Sequence, residues 1–396
     1  MTAVRFGCDR VAADPARLVP WRRVALVTND RARLAANPAV RSRVALRAAG
    51  VGLVRLFSPE HGLAGDGADG AAMADGTDAA TGLPVVSLYG ARLAPPPEAL
   101  ADLDAVLFDI PDVGARFYTY AWTLSHMLEE CAAAGVPLVV LDRPNPLGGA
   151  LGEAEGPVLD EDCCASFVGR WAMPVRHALT LGELARHWAR TRVRGATVHV
   201  VAVDGWHRAM RWPACNLPWV PTSPAMPSYA SARLYPGLCL LEGTTASVGR
   251  GTARPFQWVG APWLDPDRVR GAAGDLSALG VALATATMVP AEGPHAGGTL
   301  PALAVEVHDE ARLRPVALGL RLVAAIAAAH RPDFAWDAYP TAANPSGAAH
   351  AQRLLGRRDV AERVVAAPMV DAATIAAWTD PGDWAARVAP DLLYRD

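Results

Sequence analysis

Six short apolar runs, at residues 24–27, 51–57, 85–88, 105–110, 136–141 and 197–203, constrain the fold of this chain more than any other feature. They are apolar nearly throughout instead of alternating with polar residues, which suits strands buried on both faces of a parallel sheet. Parallel neighbours need crossover connections, and helix-like stretches lie between several of the runs. The clearest spans 119–134, with Ala121, Leu124, Leu128 and Cys131 on one face and Gly135 as its stop. Another spans 181–190. This alternation continues to about residue 210 and predicts an α/β fold, a Rossmann-like doubly wound parallel sheet.

The proline-rich stretch 217–224 then breaks the pattern. Residues 1–222 are expected to form the Rossmann-like catalytic domain, and residues 223–396 a smaller α+β domain that closes the active-site cleft. The second part carries glycine-rich loops, an alternating strand at 303–307 and apolar helices over 316–329 and 361–378. A chain of 396 residues that is 52% hydrophobic is too long for one ordinary core, which also favours two domains.

Charge and residue usage exclude several function classes. The 37 cationic and 40 anionic side chains give −3 with no run of like charge, so neither nucleic acid nor a membrane surface is an expected partner. Every one of those cations is arginine. Without lysine there is no Schiff-base chemistry and no Walker A loop. The six cysteines show no C-x-x-C spacing and read as reduced. Residues 1–7 lack the apolar stretch of a signal peptide, and no segment offers ~20 uninterrupted apolar residues, so a cytoplasmic enzyme is expected.

In open α/β sheets ligands bind outside the carboxyl ends of the strands. Those ends are polar here: Thr28-Asn29-Asp30, Ser58-Pro59-Glu60-His61-Gly62, Tyr89-Gly90, Asp109-Ile110-Pro111-Asp112 and Asp142-Arg143-Pro144-Asn145. If the sheet is parallel they converge on one crevice, bringing Glu60, Asp109, Asp112 and Asp142 together with His61, Arg116 and Arg143, the material for paired acid and base work. Glu60 is the leading catalytic acid, because Pro59 and Gly62 fix a turn that presents it and it has no capping duty; His61 and Asp112 accompany it. Asn29, Tyr89, Tyr118, Tyr120 and Asn145 are candidate substrate contacts, with Tyr118 placed to orient a hydroxyl. Beyond the boundary, Glu242, Arg250 and Thr252 lie in a Gly- and Thr-rich loop able to lend amides and a guanidinium to an anionic group. Two signals are discounted. Gly65-Asp66-Gly67-Ala68-Asp69-Gly70 matches G-x-G-x-x-G but opens no helix and reads as a flexible loop, and His126 with Glu130 reads as a solvated pair. No metal and no cofactor is expected.

The motifs Ser58-Pro59-Glu60-His61-Gly62, Asp112-Val113-Gly114-Ala115-Arg116-Phe117-Tyr118-Thr119-Tyr120, Asp142-Arg143-Pro144-Asn145-Pro146, Glu155-Gly156-Pro157, and Glu242-Gly243-Thr244 with Gly249-Arg250-Gly251-Thr252 occur in one order. Together they make the chain similar to the NamZ-like exo-β-N-acetylmuramidases of bacteria. The resemblance runs from about Val24 to Trp263; the C-terminal third matches only in general character. It implies removal of N-acetylmuramic acid from the non-reducing end of peptidoglycan (muropeptide) fragments in a cleft between two domains. The family's proposed catalytic glutamate falls on Glu60, and Arg250 or Arg116 is implied as the ligand of the lactyl carboxylate. The chain departs from the family pattern at Pro111, Ala225, Thr245, Val248 and Gln257. The expected reaction is hydrolysis of a β-glycoside with Glu60 protonating the leaving oxygen. Asp112, Asp109 or the substrate's own acetamido group would stabilise the developing cation. The competing readings are a non-catalytic amino-sugar binder and a nucleotide or phosphosugar enzyme, the latter disfavoured by the missing glycine fingerprint and lysine.

Overall fold

The computed structural model describes residues 3–366 and 370–395. The larger sheet contains β1 (Val24–Val27), β2 (Leu53–Ser58), β3 (Gly76–Thr77), β4 (Pro84–Ser87), β5 (Ala105–Phe108), β6 (Leu138–Leu141) and β7 (Val198–Val201). Their order is β3-β4-β2-β1-β5-β6-β7, and every neighbouring pair is parallel except β3 with β4. The apolar runs overshoot several of these strands because their end residues enter the flanking turns.

Burial on both faces accounts for the apolar runs. Along β1, Ala25 and Val27 face a core shared with the helices Tyr120–Ala134 and Leu181–Thr191, while Val24 and Leu26 face a second core with Gly7–Ala13 and Ser42–Ala48. Fully burying each valine or leucine contributes about 1.5–3 kcal/mol, and no face of β1 is left for a polar side chain. The helix Leu181–Thr191 starts on a reciprocal cap in which the Thr180 side chain accepts from Glu183 N–H and Glu183 accepts from Thr180 N–H. The helix Tyr120–Ala134 ends on left-handed Gly135, as its sequence predicts.

A second, smaller sheet is antiparallel, with β8 (Trp258–Gly260), β9 (Val281–Met288) and β10 (Leu300–Val307) in the order β8-β10-β9. The helix Pro315–Ala329 packs on Tyr229–Leu238 and Pro266–Ala273. It crosses Tyr229–Leu238 at bare backbone: a Cβ on Gly237 would lie 1.8 Å from Pro315 O, and one on Gly319 2.3 Å from Gly237 O. Only glycine permits that approach. The single helix expected over 361–378 is instead two, Arg358–Ala366 and Ala372–Thr379, and residues 367–369 lie outside the described residues.

The end of the chain returns to the larger sheet. Trp384 Nε1 donates to His177 O at 2.8 Å, Leu393 N–H to Glu183 Oε1 at 3.0 Å, and the Tyr394 hydroxyl to Asp142 Oδ2 at 2.6 Å. Among the described residues no helix is long and apolar enough to cross a membrane. The winding reverses direction at β1, which has β2 on one side and β5 on the other, so the crevice outside the carboxyl ends near β1 is the place to look for ligands.

Candidate active site

Past Ser58 the chain turns sharply: Gly62 N–H donates to Pro59 O at 3.0 Å, and His61 and Gly62 take left-handed φ values of 66° and 70°. For His61 that conformation is strained, a feature that collects at functional sites. The turn delivers Glu60 into a cleft of about 820 Å³, open solvent included, whose lining also holds His61, Asp69, Tyr89, Tyr118, Tyr120, Glu242 and Arg250.

Glu60 is only 5% exposed. Gly70 N–H donates to Oε1 at 3.0 Å and the Thr119 hydroxyl to Oε2 at 2.5 Å. Burial, and then the negative charge of Asp69, push its carboxyl above the usual range, and hydrogen bonds from Thr119 and Tyr89 offset only part of that. Asp69 behaves oppositely. Burial alone would raise it, but the Arg250 guanidinium, the Tyr339 hydroxyl and two histidines hold it below its ordinary value. Tyr339 donates to Asp69 Oδ2 at 2.7 Å, and Arg250 Nη2 stands 3.4 Å from Oδ1. Arg250 Nε also donates to Glu242, so one guanidinium joins two carboxylates. The cleft therefore contains two carboxyl groups whose pKa values are pushed in opposite directions, Glu60 upward and Asp69 downward.

Glu60, His61 and Asp69 each offer one ligand atom within 4.8 Å of the others, a grouping able to approach a cation. Their hydrogen bonds oppose that use. Both Glu60 oxygens accept donors and Asp69 is taken by Tyr339 and Arg250, which leaves His61 Nε2 as the uncommitted donor, its Nδ1 lying 2.8 Å from Gly67 O. The arrangement suits proton transfer.

The strand ends do not converge on one crevice, which corrects the expectation. Glu60, His61, Tyr89, Tyr118, Tyr120, Glu242 and Arg250 share the cleft, whereas Asp112 and Arg143 line a second cavity of about 500 Å³, open solvent included, with Pro111, Trp212 and Trp219. A hydrogen bond of 2.7 Å from the Tyr118 hydroxyl to Thr222 Oγ1 stands between the two, since Tyr118 lines the first and Thr222 the second. Asp109, fully buried, is spent on Arg143 at 2.6 Å. Asp142 accepts from Thr180, Gly182 and Tyr394 and ties the Leu181–Thr191 helix to the chain end. Asn145 donates to Leu179 O, Asn29 donates to the Tyr120 hydroxyl behind the cleft wall, and Thr252 donates to Gly249 O in its own turn.

Arg116 is wholly buried and donates to three carbonyls, Pro157 O at 2.7 Å, Met173 O at 2.9 Å and Leu354 O at 2.7 Å. It is therefore a positioning residue that fastens the helix His350–Leu355 to the larger-sheet region. Thr119, Phe167, Thr341, His350 and Arg353 line the cleft without having been singled out, as does Asp69. For Asp69 a signal existed: it sits at the end of the glycine loop that directly follows Glu60. That loop is pinned, by Gly67 N–H to His61 O at 3.1 Å and Gly70 N–H to Glu60, so it is a built wall of the site. Of the five departures, only Ala225 lines the cleft; Pro111 lines the second cavity, Thr245 donates to Asp333 O, Gln257 donates to Ser231 Oγ and Val248 is buried.

Residues 24–230 match the family model described as exo-beta-N-acetylmuramidase NamZ, N-terminal, and residues 233–394 match its C-terminal counterpart. The chain is 36% identical over 333 residues to the peptidoglycan beta-N-acetylmuramidase NamZ of Bacillus subtilis (strain 168), spanning 84% of this chain and 79% of that protein. Two crystal structures of DUF1343 family proteins from Bacteroides fragilis superpose over 100% of both chains, with TM-scores of 0.87 at 27% identity and 0.77 at 26% identity.

Proposed function

The chain belongs to the exo-β-N-acetylmuramidase NamZ family, and from that premise we propose that it is a glycoside hydrolase releasing N-acetylmuramic acid from the non-reducing end of peptidoglycan fragments. The observation that carries the proposal is the unequal carboxyl pair. Glu60, with its raised pKa, donates its proton to the glycosidic oxygen as the bond to C1 breaks, and Asp69, held ionised, stabilises the positive charge growing on the ring. Water then adds at C1 and returns a proton to Glu60. Asp69 thereby takes the role that the sequence left among Asp112, Asp109 and the acetamido group.

Glu60 and Asp69 present oxygens within 4.8 Å of each other. Carboxyl groups about 5 Å apart accompany retention, and groups ~6.5–9.5 Å apart accompany inversion. Water entering beside Glu60, on the side the leaving group departs from, would give retention, so the sugar first released should be the β anomer, as proton NMR of the fresh product would register. In this reading the chain divides near residues 222 and 223, and the smaller part closes over the cleft. Cytoplasmic residence belongs to the same proposal, supported by six free cysteines.

The test is release of N-acetylmuramic acid from a defined muramyl-glucosamine disaccharide by the wild-type protein and Glu60→Gln. Release that disappears in the variant is the expected result. A folded wild-type protein that binds the disaccharide without cleaving it would overturn the hydrolase reading in favour of a binding protein.

A further inference from the structure

Muramic acid differs from glucosamine by a lactyl ether at O3, so selecting it requires a group that recognises an extra carboxylate. Neither arginine pointed to by family resemblance is free for that. Arg116 is buried on three carbonyls, and Arg250 is already shared by Glu242 and Asp69. A third carboxylate on Arg250 would place three anions around one guanidinium inside a low-dielectric cleft, where like charges repel strongly.

The cleft holds one more arginine. Arg353, half-buried on the helix His350–Leu355, lines the same cavity as Glu60, and its guanidinium makes no ion pair or hydrogen bond with any described residue. One turn earlier on the same helix face, His350 also lines the cleft. His350 is 6% exposed, its Nε2 is buried without a partner, and its ring stacks on Tyr339 at 4.5 Å. Burial pushes its pKa down to about 4, which keeps the imidazole neutral and able to offer one N–H. A buried polar atom without a partner costs stability unless a ligand satisfies it.

We propose that Arg353, with His350 beside it, is the specificity determinant that binds the lactyl carboxylate of the muramic acid ring. The assignment rests on the functional reading above and deepens it. The helix that carries both side chains is held against the larger-sheet region by Arg116 through Leu354 O, the carbonyl next in sequence to Arg353. Arg116 therefore serves carboxylate recognition at one remove. A guanidinium is suited to this, since its fork matches a carboxylate and its charge persists at all relevant pH values.

The test is calorimetric binding of N-acetylmuramic acid and N-acetylglucosamine to wild type, Arg353→Gln and Arg353→Lys, with thermal melting to confirm folding. Wild type should prefer the muramic acid. Arg353→Gln should narrow the ratio of the two dissociation constants by on the order of tenfold or more, and Arg353→Lys should restore part of it, as a charge-assisted hydrogen bond requires. In disaccharide hydrolysis the same variant should raise KM more than it lowers kcat. A ratio unchanged in Arg353→Gln, equal weakening of both sugars, or no measurable binding of N-acetylmuramic acid overturns the assignment. Loss of the hydrolase reading would show separately, as binding with a muramic acid preference but no turnover of the disaccharide.

Discussion

Two cavities open at the carboxyl edge of the larger sheet, and each contains a buried acid whose pKa is raised. In the first, Glu60 is saturated with donors and stands beside an ionised Asp69 fixed by Arg250 and Tyr339. In the second, Asp112 is pushed up to about 7 by burial, opposed only by backbone N–H groups. Its Oδ2 accepts from Gly114 N–H at 2.7 Å, its Oδ1 has no partner, and fully buried His177 lies 3.8 Å away. The cavity around Asp112 is lined by Pro111, Pro144 and Trp219 together with Arg31, Arg33 and Arg143, and holds no second carboxyl among the described residues. A raised pKa is thus no signature of a catalytic acid by itself. What separates Glu60 is a second carboxyl, Asp69, whose pKa is pushed the opposite way within the same cleft.

The comparison breaks most visibly at Glu60. Glu60→Gln should lower kcat/KM by about 10²–10⁴-fold, the range for a lost general acid, while Asp112→Asn should change it by only a few fold in assays on the same disaccharide. A comparable loss in both variants would erase the distinction between the cavities. Asp69→Asn should cost roughly 10²-fold in kcat, with less effect on KM, because the charge it supplies matters most in the transition state. Replacing Arg116 with methionine should lower stability by about 2–4 kcal/mol in denaturant unfolding, since carbonyls are left unpaired, and should raise KM through the displaced helix. A smaller effect on the reaction than that of Asp69→Asn is expected from Thr119→Ala. Removing its hydrogen bond raises the Glu60 pKa, so the alkaline limb of the pH–rate profile should move to higher pH with a rate loss of about 3–10-fold.

The doubly wound sheet was legible in the sequence because burial on both faces forces wholly apolar strands, and Val24–Val27 and Leu138–Leu141 show that most clearly. The place of Glu60 in the cleft was legible because Pro59 and Gly62 announce a turn at a strand end. The split into two cavities was not, since it depends on strand order, and a linear sequence does not say that β1 lies between β2 and β5. Polar residues at strand ends consequently looked alike, although Asp109 neutralises Arg143 and Asp142 anchors the chain terminus. Asp69 was hidden by its glycine-rich setting, which reads as a flexible loop until Gly70 N–H is seen on Glu60. Arg353 and Tyr339 were hidden by distance along the chain: their part in the site exists only once the C-terminal segment folds back, as the bond from Ala342 N–H to Gly70 O at 2.7 Å records.

The central claim is that the negative charge of Asp69 helps to raise the pKa of Glu60. It is tested most directly by the pH dependence of kcat/KM for wild type and Asp69→Asn on one muramyl substrate. Activity should fall at high pH as Glu60 deprotonates and at low pH as Asp69 protonates. Removing the Asp69 charge lowers the Glu60 pKa, so the alkaline limb should move to lower pH in Asp69→Asn, opposite to its movement in Thr119→Ala. An alkaline limb at the same pH in both wild type and Asp69→Asn would show that the two carboxyls titrate independently, and would contradict the account.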